Sequence, residues 1–477
     1  MDNLVADATN VTSITLAVTF LLILFQEAVN GFHDVANAIA TVIYSRAMSP
    51  RSSVLMAAVC NFIGVLIGGT AVAFSMVYLL PTNMVAGINT ASEVSLFMAM
   101  IFSAVVWNFG TWWLGIPNST THAYIGSIIG ISMADAFLMG QPVAEQINWD
   151  QGEKILIALI VSPIIGFVLG VVILKVISFF ARDKGLYEPS AEDHRPSYRI
   201  RAILIAGAAG VSFLHGSNDG QKSIGLMMVA LFGLFPATYG LDPDRLDAED
   251  YRHLVSVVQS VEAVREATEK APTSLIARAG SEETPAIDEL LEQLTVRQQQ
   301  GVTLSTDDAI KTRKEILAVH RQVSKQLKSP DLRAKLSPQQ IEVLEEAHRE
   351  LASFIEHVPL WVMMLSALAL GGGTLVGYKK IVTTLGEKVG SSKMNPAQGT
   401  AAQASAVASI ALADLGGLPV STTHVLSSAV VGTVVGTKGQ TVNEKTITSI
   451  ALTWVTTLPG TLLLSFAMGI VFHRAIG

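Results

Sequence analysis

Two aspartates stand inside otherwise apolar stretches: Asp34 in Asn30-Gly31-Phe32-His33-Asp34-Val35-Ala36-Asn37, and Asp219 in His215-Gly216-Ser217-Asn218-Asp219-Gly220-Gln221-Lys222. A carboxylate at membrane depth is costly enough to imply a task, such as holding a cation or a proton. The two segments align Gly on Gly and Asp on Asp. Each reads as a break in a helix, at Gly31 or Gly216, that would free backbone carbonyls for a cation. Further along, Ile116-Pro117-Asn118-Ser119-Thr120-Thr121-His122 matches Leu418-Pro419-Val420-Ser421-Thr422-Thr423-His424. Proline followed by hydroxyl residues suits a helix start, with fixed φ, capping side chains and free N–H groups at the positive end of the dipole. Two such starts, with Ser119, Thr120, Thr121, Ser421, Thr422 and Thr423, could cradle a tetrahedral oxyanion. Two carboxylates beside that anion would repel it unless each takes a cation or a proton, so anion loading would require the coupling ion. Lys222, standing where the first segment has Asn37, could offset anion charge directly.

The candidate substrate ligands are therefore Asn37, Ser119, Thr120, Thr121, Asn218, Lys222, Ser421, Thr422 and Thr423, and the candidate coupling-ion ligands are Asp34, Asp219, Asn108 and Gln403. Glu27, one turn before the first Asp segment, is a weaker candidate of the second kind. Asn61, Asn108 and Gln403, polar residues within apolar spans, line a cavity or join helices. His122 and His424 serve packing, hydrogen bonding or proton transfer.

Elements able to position these groups follow from composition. Half of the 477 residues are apolar and 15% charged, with mean hydropathy +0.47, which excludes an ordinary soluble globular chain. Apolar stretches long enough for a ~30 Å hydrocarbon core run at 11–29, 52–80, 94–116, 119–140, 154–181, 199–236, 358–377, 396–416, 419–436 and 446–472. They must be helices, because hydrocarbon offers backbone groups no outside partner. The first, without a basic flank or a small-residue cleavage site, reads as a span rather than a removable signal. The lone Cys60 can form no intramolecular disulfide. The charge balance excludes a basic nucleic-acid face.

The matched pairs make the chain an internal duplication. Asp34 and Asp219 are 185 residues apart and Ser119 and Ser421 are 302 apart; the difference, 117, is the length of 241–357, which therefore reads as an insertion. That segment carries 15 Lys and Arg against 22 Asp and Glu, the whole net charge of −7. Apolar residues at helical spacing, Leu254, Val257, Val258, Val261 and Val264, then Leu290, Leu291 and Leu294, make it a small soluble helical domain or a dynamic helical loop. The expected organisation is a first transmembrane repeat over 1–181, a cytoplasmic linker over 182–198, a second repeat over 199–240 and 358–477, and the charged helical insertion over 241–357. Arg46, Arg51, Arg182, Lys184, Arg195, Arg199 and Arg201 mark cytoplasmic loops, and Lys379, Lys380, Lys388, Lys393, Lys438 and Lys445 fit an inverted second half. The expected fold is an all-α polytopic membrane protein, an inverted-topology repeat with broken or re-entrant helices at the midplane.

On these residues the chain resembles the PiT family of inorganic phosphate transporters. Gly31, Asp34, Val35, Ala36 and Asn37, with the divergent copy Gly216, Asn218 and Asp219, are similar to its Asp motif. Pro117 to His122 and Pro419 to His424 are similar to its Pro-x-Ser-Thr-Thr-His motif. The resemblance covers essentially all of the membrane portion and is nearest to the bacterial low-affinity members. It implies phosphate held between the Asp motifs and the Ser-Thr-Thr motifs, in a multi-pass inner-membrane protein that is often a homodimer in contact with lipid. It implies no resident cofactor; the coupling ion is H+ or Na+, and a divalent metal is carried with phosphate as a neutral complex. Asn61 and Gln403 stand where the sodium-coupled members are expected to be acidic, which favours protons. Rival readings are a sodium-coupled phosphate symporter, a sulfate or arsenate carrier, a channel, and a membrane enzyme using Ser119 with His122 or Ser421 with His424. Duplication of that Ser and His pair argues against the enzyme, since catalysis needs one site and a carrier benefits from symmetry.

Overall fold

The computed structural model describes residues 11–476 apart from 82–83, 86–87, 89, 182, 189–195, 243–247, 270–286, 288–289, 292–293, 295–305, 377–381, 383–388 and 392. Arg182, Arg195, Lys379, Lys380 and Lys388, used above for orientation, lie outside the described residues. The first half supplies α1 (Val11–Tyr44), α2 (Pro50–Ile67), α3 (Ala91–Leu114), α4 (Thr120–Met139) and α5 (Trp149–Phe180). Helix α6 (Tyr198–Leu234) opens the second half, followed by α7 (Ala248–Glu269), α8 (Thr306–Lys328) and α9 (Pro338–Ile355). Helices α10 (Leu360–Thr374), α11 (Pro396–Leu415), α12 (Thr422–Gly436) and α13 (Glu444–Ile476) complete it.

Among the described residues, seven helices are each long and apolar enough to cross a membrane, α1 to α6 and α13. On α5 the residues Ile157, Ile160, Ile164 and Val168 are exposed at helical spacing, a stripe that suits hydrocarbon and not water. Local chemistry fixes several helix starts. Thr90 and Glu93 form a capping box ahead of α3, Asn395 and Gln398 another ahead of α11, and Ser119 and Ser421 accept from the N–H groups of His122 and His424 to cap α4 and α12.

One expectation is corrected here. Helices α1 and α6 are continuous, with no unwinding at Gly31 or Gly216. The glycines serve close packing. A Cβ on Gly31 would collide with the Leu370 carbonyl oxygen of α10, and one on Gly216 with the Asn61 carbonyl oxygen of α2. The same crossing thus occurs twice, with Gly31 and Gly216 offset by 185 residues and Asn61 and Leu370 by 309. Helix α10 of the second half packs on α1 of the first, and α6 packs on α2, so the halves interlock.

The interruptions lie elsewhere. Helices α3 and α4 pack together as a hairpin whose turn holds Pro117 to Ser119, and α11 and α12 form its counterpart around Pro419 to Ser421. Both turns are buried, so hairpin tips and not split helices bring helix N-termini into the interior. Each second arm packs on the last helix of the opposite half, α4 on α13 and α12 on α5.

The chain divides into two compact units, Met1–Val85, Asn89–Met227 and Pro359–Gly477 forming one, and Ala86–Ile88 with Met228–Val358 the other. All candidate site residues fall in the first. In the second, Leu254, Val257, Val258, Val261 and Val264 of α7 are buried, as are Ile316 and Val323 of α8 and Leu344, Leu351 and Phe354 of α9. Arg313 is buried as well, its guanidinium 3.6 Å from the Phe232 ring centre and donating to the carbonyls of Gly240 (2.8 Å) and Ile355 (3.0 Å).

Candidate functional site

Helices α1 and α6 carry Asp34 and Asp219 to the place where both hairpin tips meet. Asp34 is 3% exposed and Asp219 1%, so neither charge is solvated by bulk water. Positive and polar groups take the place of solvent. His33 Nδ1 lies 2.9 Å from Asp34 Oδ1, and Lys222 Nζ lies 2.7 Å from Asp219 Oδ1. His215 Nε2 sits between the two acids, 3.9 Å from Asp34 Oδ2 and 3.7 Å from Asp219 Oδ2.

The hairpins supply hydroxyls in a crossed pattern. Thr423 of α12 donates to Asp34 Oδ1 at 2.8 Å and accepts from Asn37 Nδ2 at 2.8 Å. Thr121 of α4 accepts from Lys222 Nζ at 2.6 Å and donates to the Val420 carbonyl at 2.9 Å. Asn37 and Lys222 occupy equivalent positions, as do Thr121 and Thr423, so each half's Asp helix binds the other half's hairpin. Thr120 reaches Asn30 Oδ1 at 3.0 Å and lies 3.3 and 3.4 Å from Asp219 Oδ2 and Asp34 Oδ2. With a third bond to the Val420 carbonyl at 3.0 Å, all three N–H donors of Lys222 are used.

The His215 ring is fixed by a chain of hydrogen bonds. Thr374 Oγ1 donates to the Leu370 carbonyl at 2.8 Å and accepts from Asn61 Nδ2 at 2.9 Å, which turns Asn61 Oδ1 toward His215 Nδ1 at 3.0 Å. Nδ1–H therefore donates to Asn61, and Nε2 is aimed at the two carboxylates. Asp34, His215 and Asp219 each offer one ligand atom within 4.8 Å of the others, two carboxylate oxygens and one imidazole nitrogen. This donor set fits a divalent cation.

Several candidates make their hydrogen bonds to residues other than these. Asn108 Oδ1 accepts from Asn118 Nδ2 at 2.9 Å, and Asn118 Oδ1 accepts from Thr457 at 2.5 Å, so Asn108 braces the first hairpin. Gln403 Nε2 bonds Thr41 Oγ1 between α11 and α1. Ser119 and Ser421 are engaged as caps, Ser119 also meeting His122 Nδ1 at 2.7 Å. Thr422 Oγ1 is buried and has no hydrogen-bond partner among the described residues. The His122 and His424 rings meet at a tilt with centroids 4.3 Å apart, and His424 stacks on Trp454 at 4.1 Å.

Asn218 faces the second hairpin. Its Nδ2 donates to Asp414 Oδ1 at 2.6 Å and the Leu418 carbonyl at 3.1 Å, and its Oδ1 accepts from Val420 N at 3.2 Å. Ser217 adds a 2.6 Å bond to Asp414 Oδ2. Sequence reasoning missed Asp414, although an acid ending an apolar run was a usable signal. It has no acidic counterpart, since the matching pair in the first half is Phe32 packed at a tilt against Trp112, centroids 4.6 Å apart.

Comparison with known proteins decides the family. A model of the phosphate transporter family matches residues 30–465. The chain belongs to the phosphate transporter family. The low-affinity inorganic phosphate transporter PitA of Escherichia coli strain K12 is 38% identical over 483 residues, covering 95% of this chain and 96% of that protein. The low-affinity inorganic phosphate transporter of Buchnera aphidicola subsp. Acyrthosiphon pisum is 32% identical, with 95% of each chain covered. A solved structure titled the sodium-dependent phosphate transporter shares the fold, with TM-score 0.52 and 19% identity over 96% of this chain and 98% of that one. As a member of the phosphate transporter family with these spans, the chain is a multi-pass plasma-membrane protein.

Proposed function

We propose that the protein is a symporter that moves inorganic phosphate across the plasma membrane with protons, part of it as a neutral complex with a divalent metal. The observation that carries this reading is the meeting of Asp34, His215 and Asp219 with Lys222 and the hydroxyls of Thr120, Thr121 and Thr423 in one buried place. An oxyanion arriving there takes over hydrogen bonds that Lys222 Nζ and the threonine hydroxyls now give to protein oxygens, and meets the first-turn N–H groups of α4 and α12. The acids, which would repel it, face the metal that it brings. Neither partner is stable alone in a site of this polarity, because each leaves buried charge uncompensated. Joint loading follows from that electrostatic condition. The name and similarity of the PitA relative support phosphate as the cargo.

The test is radiolabelled phosphate uptake into proteoliposomes, with proton and sodium gradients imposed separately and magnesium present or absent. Uptake that follows the proton gradient and rises with magnesium supports the reading. Strict dependence on sodium with no response to pH would refute the coupling assignment, and absence of uptake under either gradient would refute the symport itself.

A further inference from the structure

The geometry points to Glu27 as the residue that takes up the coupling charge, at a place separate from the phosphate and metal ligands. This inference rests on the symport reading above. Glu27 on α1 is 0% exposed. Its Oε2 accepts from Ser223 Oγ on α6, Ser223 Oγ lies 3.0 Å from Tyr124 OH on α4, and the Asn30 amide of its own helix stands near the carboxylate. The Gln26 and Asn30 side chains beside it are buried, Asn30 interacting with Glu27 and Gln26 with Tyr124.

The contrast with the two aspartates is one of partners. Asp34 has the His33 ring nitrogen at 2.9 Å, and Asp219 is paired with the Lys222 ammonium at 2.7 Å. Among the described residues, no Lys, Arg or His nitrogen lies within 4.0 Å of Glu27. The ionisable groups facing it from the helices packed around α1 are His215 and Asp219 on α6 and Tyr124 on α4. An acid so enclosed, with a negative neighbour and no cation in contact, must receive one positive charge from outside the chain before it is electrically satisfied.

Its surroundings can accept that charge, since oxygen atoms of Gln26, Ser223 and Tyr124 accompany the carboxylate. The link to phosphate is short: Ser223 is next in sequence to Lys222, and Asn30 Oδ1 accepts from Thr120, which touches both aspartates. The duplication makes the feature single. The position equivalent to Glu27 is Ser212, whose hydroxyl donates to the Ala208 carbonyl of its own helix at 2.9 Å. One coupling charge of this kind is therefore available per chain, although the aspartates are paired.

Full-length protein carrying Glu27→Gln, reconstituted in proteoliposomes, separates coupling from transport. With an inside-alkaline gradient the wild type accumulates radiolabelled phosphate above its external concentration. Glu27→Gln should reach only equal concentrations on the two sides, while exchange of internal for external phosphate without a gradient stays within about threefold of wild type. Glu27→Asp, which keeps the acid, should restore accumulation. Accumulation by Glu27→Gln equal to wild type overturns the assignment, and so does parallel loss of accumulation and exchange in both variants, which would make Glu27 structural. Should the wild type respond to sodium instead and Glu27→Gln abolish that response, Glu27 still holds the coupling ion and the proton reading is what fails. Should the wild type accumulate under neither gradient, the symport reading fails, and this inference with it.

Discussion

Lys222 of α6 donates a 2.6 Å hydrogen bond to Thr121 of α4, and its counterpart Asn37 of α1 makes the same bond, at 2.8 Å, to Thr423 of α12. The architecture is repeated but the charge is not. Only the Lys222 copy also pairs with its own half's aspartate. Replacing Lys222 by asparagine copies the first half's chemistry into the second. It leaves the Asp219 carboxylate buried without its cation, a loss of about 3–5 kcal/mol for a broken buried pair. Lys222→Asn should lower phosphate uptake at least about tenfold and lower the melting temperature of the purified protein, read by transport assay and thermal unfolding.

Asp34→Asn and Asp219→Asn should each abolish net phosphate uptake. Both keep the side-chain volume, and the lost charge is the one that faces the cation carried with phosphate. Uptake near the wild-type rate in either variant would remove that acid from the transport site.

Asp414 holds Asn218 and Ser217 through two 2.6 Å bonds, and Asn218 in turn fixes the backbone of Val420, whose carbonyl receives Lys222 and Thr121. Asp414→Ala should therefore raise KM for phosphate more than it lowers the maximal rate, because it loosens groups that position the anion without touching it. Bonds to a charged group contribute about 1.5–3 kcal/mol each, so the effect on kcat/KM should reach about tenfold or more. An unchanged KM would show that the second hairpin is held in place without this contact.

The duplicated motifs were enough to place both aspartates, both hairpin starts and Lys222 in one centre, because matched residues in two halves of an inverted repeat fall on equivalent surfaces. The continuity of α1 and α6 was not legible. Glycine reads alike whether it unwinds a helix or admits a neighbouring backbone, and only the proximity of the Leu370 and Asn61 carbonyls distinguishes the two. Asn108 and Gln403 were placed by polarity alone, which cannot tell a ligand from a brace such as Asn118 or Thr41 provides. The Asn61 clamp on His215 depends on contacts between distant segments, with no local pattern to announce it, whereas Asp414 was marked only by its place at the end of an apolar run.

Gly31→Ala and Gly216→Ala should destabilise the protein by about 1–3 kcal/mol each, the usual cost of overpacking, since the added methyl meets backbone that cannot turn aside. Thermal unfolding in detergent reads the change. Equal stability of both variants would show that these helix crossings relax freely.

The central claim is that phosphate and its metal bind together between the Asp helices and the hairpin tips. A structure determined with phosphate and manganese, using anomalous scattering to locate the metal, tests it most directly. The predicted result is a manganese peak among Asp34 Oδ2, His215 Nε2 and Asp219 Oδ2, with phosphate within hydrogen-bond reach of Lys222, Thr121 and Thr423. Phosphate bound only within residues 241–357, or a metal peak away from both aspartates, would contradict it.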